Sequence, residues 1–258
     1  DHCRAQWLAG QKQDRRKKAS EAMQLLKEAQ VALARLVRDV NNSIRARVVL
    51  LPANSAGDNI IFHAEGGDVV LPLLRQQKDG EECLSLSDFV KPCGTDYVGA
   101  FAVTAGRGIE EIISGYQQTD DFKALLYQSL SDRLAEAAAE LLHARVRREV
   151  WGYAPDERID RQRALRAQYR GIRPAAGYPS LPDQSAIFAI EKIVGFANVG
   201  IAVTPNGAMS PASSVSGLMI AHPESRYFMI GAIAPDQRRD YAARRGITEE
   251  ELSKWLPK

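Results

Sequence analysis

The chain has 258 residues and a formal net charge of +2, enough length for one large domain or two small ones. So even a charge balance argues against an extended nucleic-acid footprint, which needs a strongly basic face, and no apolar run is long enough to span a membrane. The polar, basic opening stretch has no hydrophobic region behind it and does not read as a signal peptide; a cytoplasmic chain is expected, and Asp1 in place of Met predicts an excised piece of a longer protein.

In chain order, the first predicted element is a helix from Arg16 to Val40, with Ala22, Leu25, Leu26, Ala29, Leu33 and Val37 recurring at three- and four-residue steps. The basic run Arg15 to Lys18 reads as its solvated start. Arg47 to Leu51 is a β-branched and leucine run that Pro52 is expected to end. Asn59 to His63 and Val69 to Leu74 are strand-like, with Gly66-Gly67 between them predicting a hairpin turn. Tyr97 to Thr104 is a further strand, ended by Ala105 to Gly108.

A long helix is predicted from Asp120 to Val150, its apolar side formed by Leu126, Leu130, Leu134, Ala138, Leu141 and Leu142. At 100° per residue, Asp132, Glu136 and His143 share a different face. Residues 171–183 form a loop stiffened by proline, and Gln184 to Val194 a short helix. Ser213 to Ala221 and Arg226 to Ile233 read as strands, and Asp236 to Arg245 and Glu249 to Trp255 as closing helices. Thr248 with Glu251 fits a capping box. Strands and helices come in clusters without strict alternation. That favours an α+β fold with a mostly antiparallel sheet.

Few motifs carry chemistry. Cys3, Cys83 and Cys93 form no CxxC pair and are read as reduced thiols. His2, His63, His143 and His222 lack metal-site spacing. Gly106-Arg107-Gly108 lacks the spacing of a dinucleotide fingerprint, and neither a GxSxG elbow nor a Walker loop occurs. The most informative stretch is Gly171-Ile172-Arg173-Pro174-Ala175-Ala176-Gly177-Tyr178-Pro179. Pro174 and Pro179 fix φ at two points, and Gly177 permits close approach of the backbone to a ligand. Arg173 offers a planar fork for a carboxylate, and Tyr178 offers a ring face and a hydroxyl. A small zwitterion with an aromatic group suits such a loop, and a solvated surface loop is the plain alternative. Ser213 to Gly217 and the pair Tyr227-Phe228 form a second candidate stretch. Asp132 and Glu136 form an acidic stripe, useful beside a cationic ligand such as a sulfonium and otherwise simply solvated.

Several long blocks, in order over roughly residues 20 to 256, resemble the activation domain of cobalamin-dependent methionine synthase. They are Leu74 to Gln77, Leu86 to Val90, Asp96 to Phe101, Ser131 to Ala137, Leu142 to Arg147, Trp151 to Tyr153, Tyr169 to Pro179, Ala208-Met209, Ala212 to Gly217, His222-Pro223, Tyr227-Phe228, Asp236-Gln237 and Asp240 to Ala242. The resemblance implies a single C-shaped α+β domain over residues 1–258, the first nineteen poorly matched, with a twisted, mostly antiparallel sheet and flanking long helices. It implies binding of S-adenosylmethionine. By position, Arg173 would hold the methionine carboxylate and Glu136 would lie near the cationic end. Ala175 and Gly177 would make backbone contacts, and Tyr178, Tyr227 and Phe228 would line the ligand. Asp132 would contact the cobalamin-binding domain, which supplies the cobalamin. The implied chemistry, part of a methyltransferase of methionine biosynthesis, is remethylation of cob(II)alamin with one electron from a flavodoxin-like donor. Other readings are a reactivation partner of another corrinoid methyltransferase and a docking module without ligand affinity. Two departures stand out: Gln184 where many members have His, and Pro205 where many have Glu. Asp1 is a candidate for a ligand-contacting Asp of the family.

Overall fold

The computed structural model describes residues 2–39, 43–78 and 80–256, with the backbone alone for residues 2–16 and 39. Asp1, Val40 and the side chains of His2 and Cys3 lie outside the described residues. The chain divides into two compact units, one of residues 1–43 and 107–133, the other of residues 44–106 and 134–258.

The first unit is helical. It holds α1 (His2–Asp39), α2 (Arg107–Gln117) and the first half of α3 (Asp121–Arg145). The buried stripe of α1 is Ala32 and Leu36, whereas Leu25, Leu26 and Val37, expected inside, are about half exposed or more. Lys17 and Lys18 of the basic run are exposed. Sequence periodicity did not predict α2, which follows the Gly106 turn. Its buried residues, Ile109 and Ile113, stand one turn apart.

In the second unit, a five-stranded antiparallel sheet has the order β3 (Gly67–Pro72), β2 (Asn59–Ala64), β1 (Arg45–Ala56), β4 (Tyr97–Thr104), β7 (Ser214–Met219). Strand β1 (Arg45–Ala56) pairs with both β4 (Tyr97–Thr104) and β2 (Asn59–Ala64). The expected stop at Pro52 does not occur. Pro52 is the last β1 residue in register with β4, opposite Tyr97, and pairing with β2 starts at Ala53. A missing N–H is tolerated where the strand changes partner. β2 and β3 (Gly67–Pro72) form the expected hairpin, its turn being Glu65-Gly66. β4 is buried throughout except for Tyr97, and β7 (Ser214–Met219) pairs with β4 from Gly99↔Met219 to Thr104↔Ser214. A two-stranded ribbon, β5 (Ala202–Val203) and β6 (Met209–Ser210), is joined by a turn in which Gly207 N donates to Thr204 O at 2.9 Å. Pro205 occupies a turn position that suits its fixed φ.

Helix α3 ends at Arg145 and continues as a π-helical turn, Val146–Val150, with Trp151 N donating to Val146 O at 2.9 Å. The inward face is Ser131, Ala135, Ala139 and His143, whereas Leu141 is 62% exposed. The expected leucine face is therefore wrong by about one residue of rotation. After the short α4 (Arg161–Leu165), α5 (Ala186–Val194) buries Ala186, Ile187, Ile190 and Val194 against the sheet. The main core joins these residues to Ile60, Phe62, Leu86, Val98, Phe196 and Leu218. A smaller cluster forms under α6 (Pro235–Arg245) and α7 (Glu249–Leu252), around Tyr241 and Leu252. Thr248 Oγ1 accepts from Glu251 N at 3.1 Å, which is the N-cap half of the expected capping box.

Residues 226–233 form no strand. Their groups bond to a loop and to side chains instead of to a ladder: Ile230 N to Pro179 O at 3.0 Å, Phe228 N to Ser180 Oγ at 3.1 Å, and Met229 O from Gln76 Nε2 at 2.7 Å. Cys83 and Cys93 are free thiols. No helix among the described residues is long and apolar enough to cross a membrane, and none of their side chains cluster as a metal site. The architecture is α+β with an antiparallel sheet, as the clustering of elements predicts.

Candidate functional site

The loop from Gly171 to Leu181 lies along the free edge of β7. Ile172 and Ile220 exchange backbone hydrogen bonds at 2.9 Å, Leu218 N donates to Pro174 O at 2.9 Å, and Ala176 N donates to Ser216 O at 3.1 Å. In this pairing Ala175 faces Gly217, and its own N–H and C=O point away from β7. Gly217 makes the approach possible: a Cβ there would stand 2.7 Å from Ala175 Cα. At Gly177, φ is +83°, a conformation favouring glycine. The chain then closes a small turn, with Gly177 N on Leu181 O at 2.8 Å and Leu181 N on Tyr178 O at 2.8 Å.

This loop, the second half of α3 and the extended segment around Tyr227 enclose a cavity of about 500 Å³. Its lining includes Glu136, Arg173, Ala175, Tyr178, Tyr227 and Phe228. Six side chains named from the sequence are thereby brought together. Gly177 is adjacent and shapes the turn without lining the cavity. Asp132 belongs to the other unit, where it is exposed and accepts from Gln128 Nε2 at 2.9 Å.

Polar groups converge on the cavity. Tyr178 OH donates to Glu136 Oε1 at 2.7 Å, and Arg173 Nη1 lies 3.8 Å from Glu136 Oε2. Arg173 N donates to Tyr227 OH at 2.9 Å, tying the loop to the extended segment. Tyr178 and Tyr227 keep 51% and 45% of their surface exposed, so both rings present a face at the rim. Phe228, one residue on, lines the cavity and also packs on the core. Burial disfavours the charge of Arg173, but hydrogen bonding and charge from Glu140, aided by the nearby phenols of Tyr227 and Tyr169, hold its pKa above the usual value.

Behind Arg173 lies a polar layer that sequence reasoning missed. Arg173 Nη2 donates to Glu140 Oε2 at 3.0 Å, and Tyr169 OH donates to the same oxygen at 3.2 Å. Burial pushes the Tyr169 phenol up. His143 is fully buried, with its ring edge on Tyr169 and Nε2 3.4 Å from Tyr153 OH. Burial, with the charges of Arg147 and Arg173, drives its pKa down to about 2. The available signal for Glu140 was its i+4 spacing from Glu136 on a helix already singled out. Gln184, the departure from the family's His, has a structural role: Nε2 donates to Gly207 O at 3.1 Å, and its backbone N to Trp255 O at 3.1 Å.

A family model described as the activation domain of vitamin B12 dependent methionine synthase matches residues 6–246. A crystal structure of the MetH reactivation domain bound to AdoHcy superimposes with a TM-score of 0.82 at 38% sequence identity, covering 92% of this chain and 76% of that one.

Proposed function

As the chain belongs to the family of vitamin B12-dependent methionine synthase activation domains, we propose that its cavity holds S-adenosylmethionine and presents the methyl group for reductive remethylation of cob(II)alamin. The observation that carries this reading is the convergence of Arg173, Glu136, Tyr178 and Tyr227 on one cavity. Its volume is in the range of small-molecule sites. Arg173 suits the ligand's carboxylate. Glu136 is the carboxylate in the lining and stabilises the ligand's positive charge. The exposed faces of Tyr178 and Tyr227 offer a surface for the adenine ring. The amide of Ala175, turned from β7, is free to meet the ligand's polar edge.

The cobalamin that accepts the methyl group comes with its own binding domain, and a flavodoxin-like donor supplies the electron. What this chain contributes is placement. It fixes the amino-acid end through Arg173 and Glu136 and the aromatic end through the tyrosine pair, leaving the sulfonium methyl between them. Orientation of this kind accounts for a large part of a transfer rate. No general base is required, because transfer of a methyl group from a sulfonium moves no proton. Asp132, outside the cavity, is a candidate contact for the cobalamin-binding domain.

Calorimetric titration of S-adenosylmethionine into the chain tests the assignment. Arg173→Ala is expected to weaken binding by one to two decades, from roughly 1.5–3 kcal/mol for a hydrogen bond to a charged group. Equal affinities in variant and parent would remove Arg173 as the carboxylate anchor.

A further inference from the structure

The guanidinium of Arg173 is held from behind by a row of charges of alternating sign. Glu157 Oε2 accepts from Arg147 Nε at 2.7 Å, Arg147 Nη1 lies 3.9 Å from Glu140 Oε1, and Glu140 Oε2 accepts from Arg173 Nη2 at 3.0 Å. Arg147 is 1% exposed and its guanidinium lies 4.0 Å from the centre of the Tyr169 ring. Tyr169 OH in turn donates to Glu140. Of these residues only Arg173 lines the cavity; Glu140, Arg147, Glu157 and Tyr169 do not.

We infer that Glu140 is a positioning residue for ligand recognition: it fixes the Arg173 fork so that its Nη1 side addresses the cavity. The inference rests on the reading of Arg173 as the carboxylate anchor. A free arginine side chain loses considerable rotamer freedom when it grips a ligand. One already clamped at Nη2 has lost that freedom beforehand and binds more tightly for it. Glu140 can do this without touching ligand, because it does not line the cavity: Oε2 is shared by Arg173 and Tyr169, and the buried Oε1 makes no hydrogen bond and lies 3.9 Å from Arg147 Nη1. Glu136 has a different place. It faces Arg173 across 3.8 Å, but lines the cavity and accepts from Tyr178. Two carboxylates one helical turn apart thus divide the work, the inner one orienting the cation and the outer one meeting ligand.

The test compares two ligands on the intact chain by titration calorimetry: S-adenosylhomocysteine, which has the amino-acid end, and 5′-deoxy-5′-methylthioadenosine, which lacks it. Glu140→Ala is expected to weaken S-adenosylhomocysteine about tenfold and to leave methylthioadenosine within about twofold. Glu140→Gln keeps an acceptor oxygen for Arg173 and is expected to lose only about threefold, again for S-adenosylhomocysteine alone. An unchanged S-adenosylhomocysteine affinity, or an equal loss for both ligands, overturns the role of Glu140. If Glu140→Ala does not fold, the same comparison on Glu140→Gln decides: a selective loss supports the inference, and a parallel or absent loss rejects it. A parent chain that binds S-adenosylhomocysteine no more tightly than methylthioadenosine defeats the carboxylate-anchor reading itself, and the inference falls with it.

Discussion

His143 shows how far a single residue's environment can depart from its sequence context. It occurs between Leu142 and Ala144 on a helix rich in charge, yet it is fully buried and its pKa falls to about 2. The unfolded chain takes up a proton near the ordinary histidine value of about 6.5, while the folded chain does not. Native stability is therefore lost as pH drops below that value. Between pH 7 and pH 5 this one group accounts for about 2 kcal/mol of destabilisation. His143→Gln removes this contribution, so its urea midpoint is expected to fall less than the parent's over that interval. Parallel declines would show that His143 does not titrate as a buried neutral group. At this scale the residues named from the sequence gather at the cavity, and the polar layer behind Arg173 was not legible. Arg173, Tyr178 and Tyr227 stand in distinctive local company. Glu140 is an ordinary helical glutamate until Arg173 and Tyr169, 33 and 29 residues further on, are brought against it.

Among the elements, β7 and the loop beside it form the supporting frame of the site. The Ser-Val-Ser-Gly run of β7 belongs to the second candidate stretch of the sequence. In the fold, Gly217 is the point at which the loop backbone rests on the strand. Gly217→Ala is expected to lower stability by roughly 1–3 kcal/mol through overpacking against Pro174 and Ala175, measured as a shift in denaturant midpoint. A neutral substitution would mean that the loop yields without cost. Element positions were largely legible: β4, the β2–β3 hairpin and α5 follow directly from apolar runs and turn residues. Two of the misreadings share a cause. Local rules end a strand at Pro52 and make 226–233 a strand, whereas partner exchange and bonding to a distant loop settle both; the buried side of α3 likewise departs from its leucine pattern. The family blocks at residues 74–77 and 86–90 carry architecture: Arg75 bridges Asp58 and Asp88, each at 2.6 Å, and Asp88 completes a capping box with Ser85.

For the molecule as a whole, ligand binding and folding are linked. A ligand present at 100 times its dissociation constant stabilises the native state by about 2.7 kcal/mol. S-adenosylhomocysteine at such excess is expected to raise the melting temperature by roughly 5–10 °C, and Arg173→Ala is expected to show little rise at the same ligand concentration. Equal rises in both would place the binding site elsewhere. The sheet has two outer strands, β3 and β7, and the second is covered by the loop that carries Arg173, Ala175 and Tyr178. Recognition loops usually accept insertions and length changes as they diverge. This one is bonded to Ile220 through Ile172 and to β7 through Pro174 O and Ala176 N, so an added residue between Ile172 and Ala176 would unzip the hem and leave bare strand amides open to pairing with another chain. Length drift in this loop is thus restrained by the need to keep a sheet edge covered, and variation is left to arise by exchange of side chains on a loop of fixed length.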